Sequence, residues 1–570
     1  MSESMERKPL PIGIDNFEKL IENEYYYVDK TLLIKDLLDN RADVNLFTRP
    51  RRFGKTLNMS MLQYFFEDER HWDTGEKKDN TALFNGLKIM DAGDKYTSQM
   101  GQYPVINLSL KAGKQLTFER SFEELKKVIS YEYERHKFIL QNKKLEDQKD
   151  RYLKILKLQG NISDYSDSIK FLSQCLEKYY EKKVIILIDE YDVPLENSFF
   201  EGFYKEMVSF LRAIFESSLK TNSSLEFAVI TGCLRISKES IFTGLNNLKI
   251  ISILNDRYDE YFGFTSEEVE KICFDYDMEC KYETIKEWYN GYTFGNTNVY
   301  NPWSVVQYVD DLKENINQFP SSYWANTSSN SIVKTLIERA DFSVKKEIEL
   351  LIEGKTIEKP VHEDITYDEI YDSMDNLYNF MLFTGYFKII NQKMEDDKRY
   401  IELAIPNKEV KYIFRQKVLK WFNDKIKVRD LSRMYDAIIG KNPQVFEEEL
   451  NNLLIETISF NDAYENFYHG FVTGSLMNMH NYIVKSNREG GTGRSDLFIK
   501  SASKRGIAIV IEFKIAKDID ELEKRADDAL KQIEDRKYDE ELRSEGYKNI
   551  VCYGISFYQK DCLIKLRTKS

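Results

Sequence analysis

Six cysteines and five histidines in 570 residues leave little from which to build a soft-metal centre. Cys175, Cys233, Cys273, Cys280, Cys552 and Cys562 form no Cys-x-x-Cys pair and no zinc-ligand spacing, which argues against zinc fingers and ribbons. Such scattered thiols suit a reducing compartment better than a disulfide framework. Long apolar runs are also lacking: no stretch approaches the ~20 residues a membrane-spanning helix needs, and residues 1–13 hold no apolar leader core. A soluble, cytoplasmic protein without a membrane partner is expected. Positive charge is short as well. The net charge of −13 gives no overall basic footprint of the kind nucleic-acid binders carry. The deficit is uneven, however, because from residue 461 onward Lys and Arg outnumber Asp and Glu by one. Metal-dependent nucleases place acids at the site itself, so charge leaves nucleic-acid binding open.

What is present is core-forming material, 42% hydrophobic and 14% aromatic, over a length that implies roughly three or four domains. The 37 tyrosines could include a stacking surface for single strands, although core and interface packing accounts for most of them. No repeat or low-complexity linker stands out. Residues 13–42 read as helical, and residues 43–48 as a short strand that runs into Arg49-Pro50-Arg51-Arg52-Phe53-Gly54-Lys55-Thr56 and then a helix over 57–69. Further strands are read at 104–108, 184–188 and 227–232, separated by helical stretches. Continuous β-branched runs of this kind suit strands covered on both faces, so residues 1–262 are read as an α/β domain with a parallel sheet. Residues 263–345 are read as a helical lid or winged-helix-like region, 346–455 as a mainly helical connection, and 456–570 as a second α/β domain.

The octet ending in Gly54-Lys55-Thr56 matches a phosphate loop, GxxxxGK[ST], except that Arg49 stands where the first glycine belongs. That glycine permits a tight amide-lined turn, so its replacement questions the loop geometry. The rest of the equipment is there. Arg52, Phe53 and Gly54 would line the phosphates, Lys55 would reach the β/γ oxygens, and the Thr56 hydroxyl would hold Mg²⁺ at the helix N-terminus. Downstream, the apolar run 184–188 ends in Asp189-Glu190. Asp189 would hold Mg²⁺ through water and Glu190 would polarise the attacking water, although acids capping the next helix would give the same pattern. Thr231 and Arg235, after a third strand, stand where a γ-phosphate sensor would, or serve as caps.

Near the C-terminus Asp496 precedes Ile507–Lys514 by a distance a hairpin turn through 501–506 can close. Glu512 and Lys514 project from one face of such a strand and Phe513 from the other. Acid-x-lysine usually marks a solvated face. Here it follows a buried-strand run, where an unpaired charge is costly unless paired or metal-bound. Two carboxylates and an ammonium converging make a hard-cation site suited to phosphodiester cleavage.

The Arg49–Thr56 loop, Ile188-Asp189-Glu190-Tyr191-Asp192, the segment from Thr231 to Phe242, and Trp288-Tyr289-Asn290-Gly291-Tyr292 with Tyr300-Asn301-Pro302-Trp303 resemble the AAA-ATPase-like family fused to a PD-(D/E)xK nuclease domain. In that family arginine tends to occupy the first-glycine position, so Arg49 looks like a family trait. The resemblance spans nearly the whole chain, weakest around 116–180 and 340–400. It implies a P-loop-type ATPase domain, a helical middle and a C-terminal restriction-endonuclease-like α/β domain. In the latter, Asp496 and Glu512 would ligand Mg²⁺, with Mn²⁺ able to substitute. Glu465 would complete or orient the metal shell, Lys514 would position water or stabilise charge, and the Phe513 carbonyl could add a ligand. Gln532, with Tyr538 downstream, would be the trailing helix motif. The function implied is ATP binding and hydrolysis joined to Mg²⁺-dependent cleavage of DNA, in preference to RNA, under nucleotide control, in a role such as defence against foreign nucleic acid. The rival readings are an ATP-driven switch whose nuclease fold binds nucleic acid or protein without cutting, and a nuclease with an inactive nucleotide module. A homo-oligomer is compatible with either.

Overall fold

A computed structural model describes residues 7–234, 241–242, 245–324, 342–361, 366–367, 369–370, 372–416, 430–457, 465–476, 479, 481–486 and 496–569. The chain divides into two units: Met1–Asn330 with Thr356–Ile413, and Ser331–Lys355 with Phe414–Ser570. Among the described residues no helix is long and apolar enough to cross a membrane.

The first unit is built on a parallel sheet of β1 (Val44–Thr48), β2 (Val105–Ser109), β3 (Val184–Asp189), β4 (Leu225–Gly232) and β5 (Leu248–Ile251), in the order β2-β3-β4-β1-β5. Every residue of β1 and β3 is buried, as expected of strands covered on both faces. The order reverses direction beside β1, and ligands of open α/β sheets bind at the carboxyl ends of strands at such a point. Register sets the level of those ends. Thr48 pairs with Gly232, and Ile188 with Ile230, so the residues following β1, β3 and β4 emerge together.

Beyond this sheet, Thr265 and Glu268 cap the helix Ser266–Asp275 reciprocally, and Asn301 caps Pro302–Glu314. A hairpin of β6 (Tyr292–Phe294) and β7 (Thr297–Val299) lies between them in sequence. The stretch 346–455, read from sequence as mainly helical, also contains an antiparallel sheet of β8 (Ile357–Pro360), β9 (Lys388–Glu395) and β10 (Lys398–Ala404), ordered β8-β10-β9.

The second unit centres on a mixed sheet, β11 (Tyr482–Ser486), β12 (Leu497–Ser501), β13 (Ile507–Ile515), β14 (Asn549–Tyr558) and β15 (Asp561–Lys569), in chain order. Only β13 and β14 run parallel, joined across the helix Leu522–Asp535. Alternation along β13 sends Ile507, Ile509, Ile511 and Phe513 into one core and Ala508 and Val510 into the other. The first core includes Met434, Ile438, Phe446 and Leu450, so the helices Ser432–Ile439 and Pro443–Thr457 pack on this sheet. On the opposite face Gly554, which pairs with Glu512, allows close helix approach. A Cβ there would lie 2.9 Å from Leu530 Cγ and closer still to the Ala526 carbonyl.

Candidate functional site

At the end of β1 the chain turns through residues 49–54 into the helix Lys55–Phe66. Arg52 (φ 71°) and Gly54 (φ 79°) both adopt the left-handed backbone. Gly54 does so without steric cost, whereas Arg52 is a non-glycine in a region that such residues seldom enter. Its exposed guanidinium is held over Trp303, with Cζ 4.3 Å from the ring centre. Phe53 points inward and packs edge-on against Tyr292 at 4.9 Å, pinning the loop to the β6–β7 hairpin.

Arg49 answers the question raised by the missing glycine. Its side chain leaves the loop altogether and is fully buried. One terminal nitrogen donates to the Thr48 and Ile251 carbonyls at 2.9 Å each, and the guanidinium sits 5.3 and 5.1 Å from the Phe262 and Phe294 ring centres. Burial pushes it down to about 9. Arg49 therefore ties β1, β5 and the hairpin together beneath the loop.

Lys55 is buried and spans its own loop, donating to the carbonyls of Arg49 and Pro50 at 2.8 Å each. The Thr56 hydroxyl donates to Asp189 Oδ2 at 2.7 Å, and Thr231 donates to the other oxygen of the same carboxylate. Glu190 follows in a left-handed conformation (φ 53°), and burial and the adjacent Asp189 raise its carboxyl above the usual range. Asp192, given no role from sequence, accepts the Cys233 and Leu234 amides at 2.6 and 3.1 Å, and Arg51 pairs with Glu196. Gly232 is required here, because a Cβ would meet the Tyr191 ring and lie 2.9 Å from Asp192 Oδ1. Lys55, Thr56, Asp189 and Glu190 thus form one cluster at the carboxyl ends of β1 and β3. Arg235 lies outside the described residues. An ammonium, a hydroxyl beside a carboxylate and a helix N-terminus fit a magnesium-bound nucleotide triphosphate.

The second cluster lies on β12 and β13. Leu497 pairs with Ile511, which sets Asp496 opposite Glu512, and the Asp496 amide donates to Glu512 Oε2 at 3.3 Å. Asp496 Oδ2 accepts the Phe513 amide at 2.8 Å. Glu512 is 2% exposed, and Lys514 Nζ lies 3.5 Å from its Oε1, which also accepts a hydrogen bond from the Gln532 amide. Burial, reinforced by the Asp496 charge, pushes Glu512 up to about 8. His469 contacts the Asp496 main-chain oxygen at 2.8 Å and packs edge-on against Phe513, so the helix Glu465–Leu476 positions the acid from behind. Sequence gave no signal for this contact, since it is made to a carbonyl any residue would offer. Glu465 begins that helix, but its side chain lies outside the described residues.

Among the described residues no three His, Cys, Asp or Glu side chains gather as a ready metal cluster. Asp496 and Glu512 still form a hard, anionic donor pair whose mutual repulsion a divalent cation would relieve, so the residues present fit Mg²⁺ or Mn²⁺.

Residues 11–242 match the family model described as Predicted AAA-ATPase, and residues 463–566 match that of the PD-(D/E)XK nuclease superfamily. An "Uncharacterized protein in vnfD 5'region" of Azotobacter chroococcum mcd 1 is 26% identical over 448 residues, covering 77% of this chain and 75% of that protein. No solved structure matches.

Proposed function

We propose that the AAA-ATPase-like domain and the PD-(D/E)XK nuclease-superfamily domain that this chain carries act as an ATP-hydrolysing module and a Mg²⁺-dependent nuclease, with DNA as substrate and cleavage under nucleotide control. The observation that carries the reading is the convergence of Asp496, Glu512, Lys514 and Gln532 on one end of β13. Asp496 and Glu512 would hold the cation, with Glu465 as a third candidate. The cation supplies Lewis-acid polarisation of a phosphoryl oxygen and a more acidic bound water. The chain's own residues do the remainder. Phe513 N–H fixes one oxygen of Asp496, Gln532 orients Glu512, and the Lys514 ammonium stands beside the carboxylate to stabilise charge developing on the phosphodiester.

In the first domain, Lys55 would exchange its two loop carbonyls for β- and γ-phosphate oxygens. Thr56 and Asp189 would hold the accompanying cation, and Glu190 would orient the attacking water. A role in defence against foreign nucleic acid rests on the domain pairing alone.

The test is a nuclease assay with Mg²⁺ or Mn²⁺ on linear, circular and single-stranded DNA and on RNA, with and without ATP. Cleavage that survives both Asp496→Ala and Glu512→Ala would sink the assignment. Cleavage indifferent to ATP and to Lys55→Ala would remove nucleotide control.

A further inference from the structure

The end of the C-terminal sheet remote from Glu512 has the opposite charge character. Ile507 pairs with Asn549, and Ile550 with Lys569, so the turn before β13, the start of β14 and the end of β15 lie at one level. Glu512 is five positions further along β13, roughly 16 Å away at the rise of a strand. Around this end lies a cleft of about 700 Å³ lined by Lys441, Lys504, Arg505, Lys548, Asn549 and Thr568, with no carboxylate in its walls.

The cations come from three separate segments whose conformations are fixed. Lys441 holds a left-handed turn (φ 61°) between two helices and donates to Asn549 Oδ1 at 3.0 Å. Lys504 lies 4.2 Å over the Tyr547 ring, and the nearby Glu545, at 3.6 Å, is held more tightly by buried Lys500 at 2.6 Å. Arg505 and Lys548 are exposed and have no ion-pair partner among the described residues. In a chain of net charge −13, four cations have been gathered around one opening. Their mutual repulsion is a cost that a polyanion removes on binding. The Arg505 fork suits phosphodiester oxygens, and the Asn549 amide and Thr568 hydroxyl add neutral hydrogen-bonding groups.

We propose that this cleft is a second nucleic-acid contact, one that grips the phosphate backbone without reading bases and anchors the substrate away from the position of cutting. The proposal rests on the nuclease reading of the same domain, which it deepens. The experiment uses the full chain in EDTA, with a labelled duplex DNA followed by fluorescence anisotropy over a series of KCl concentrations. Arg505→Gln with Lys548→Gln is compared with the parent and with Lys143→Gln plus Lys157→Gln, an equal charge change on the first unit. The cleft pair is expected to weaken binding about tenfold and to reduce the slope of log affinity against log salt by about 1.8, two contacts at ~0.9 each. At DNA concentrations well below saturation, Mg²⁺-dependent cleavage by the cleft pair should fall by the same factor of about ten.

Parent-like affinity and slope in the cleft pair, an equal loss in the control pair, or no DNA binding by the parent each overturns the proposal. The two readings fail separately. A chain that never cleaves yet binds through Arg505 and Lys548 refutes the catalytic assignment only, and one that cleaves with parent-like binding in the cleft variant refutes the anchor only.

Discussion

The two clusters handle buried charge in contrary ways. Around the phosphate loop most charged groups have already found partners: Lys55 sits on two carbonyls of its own loop, Asp189 accepts two hydroxyls, and Arg51 pairs with Glu196. Around β13 two carboxylates face one another across a hairpin, and burial with the Asp496 charge pushes Glu512 up to about 8. The first is a satisfied resting state, in which a nucleotide must replace existing bonds to enter. The second is unsatisfied in charge rather than in hydrogen bonds, with two carboxylates held together, and a cation stabilises it on arrival. Ligand binding should therefore be a rearrangement at one site and a relief of repulsion at the other.

The strongest way to break this contrast is at the unsatisfied pair. Asp496→Ala or Glu512→Ala should lower DNA cleavage roughly 10³-fold or more, on the scale of a lost preorganised charge site, while leaving ATP turnover unchanged. Mg²⁺ or Mn²⁺ should raise the melting midpoint of the parent's C-terminal unit, and this shift should vanish in Glu512→Ala. A midpoint that rises equally in both would mean the cation binds elsewhere.

Next in size is Lys55→Ala, expected to cut ATP hydrolysis on the order of 10²-fold by removing charge stabilisation at the transferred phosphate. The variant also leaves the Arg49 and Pro50 carbonyls without their donor, so it should lose stability in the absence of nucleotide. A variant that is as stable as the parent would show that the resting bonds of Lys55 contribute nothing.

Glu409 sharpens the comparison from a third direction. It is a buried acid like Glu512, but without a second carboxylate raising it, and it accepts the Trp324 amide at 2.8 Å and the Ser304 hydroxyl at 2.9 Å. Burial outweighs them and raises it to about 7. Its folded value lies above the unfolded ~4.3, so the stability it contributes is fully present below pH ~4.3 and is lost as pH rises through about 7, a loss on the order of 4 kcal/mol. Glu409→Gln stays neutral and can satisfy the same donors. Thermal melts should show it more stable than the parent above pH ~7 and no more stable below pH ~4.3. Equal midpoints at every pH would mean that Glu409 is not buried as described.

Much of this architecture was legible because buried strands leave continuous apolar runs. The stretches 43–48, 104–108, 184–188, 227–232 and 507–511 all lie within or overlap strands of the two main sheets. The sheet of β8, β9 and β10 was not legible. β9 is an edge strand, exposed along most of its length and rich in polar residues, so it carries no alternation to read. The helices over 432–457 show apolar stripes, but a stripe does not name the sheet it covers, and these pack on β14 and β15. At the sites, the hairpin spacing of Asp496 and Glu512 could be counted along the chain. The direction taken by Arg49 could not, because it depends on Ile251, Phe262 and Phe294, about 200 or more residues downstream.

The smallest expected effect tests how much of the unsatisfied site is held by neighbours. Gln532 reaches Glu512 only because Gly554 lets its helix lie against β14, so its amide is a support rather than a ligand. Gln532→Ala should therefore leave the fold and the carboxylate pair in place while freeing Glu512 to rotate. The expected outcome is cleavage about tenfold lower, with the loss appearing chiefly as a higher metal concentration at half-maximal rate, as removal of an orienting partner costs roughly 10–100-fold in metal affinity or activity. A variant with parent-like metal dependence and a slower maximal rate would instead place the Gln532 amide at the reacting phosphate.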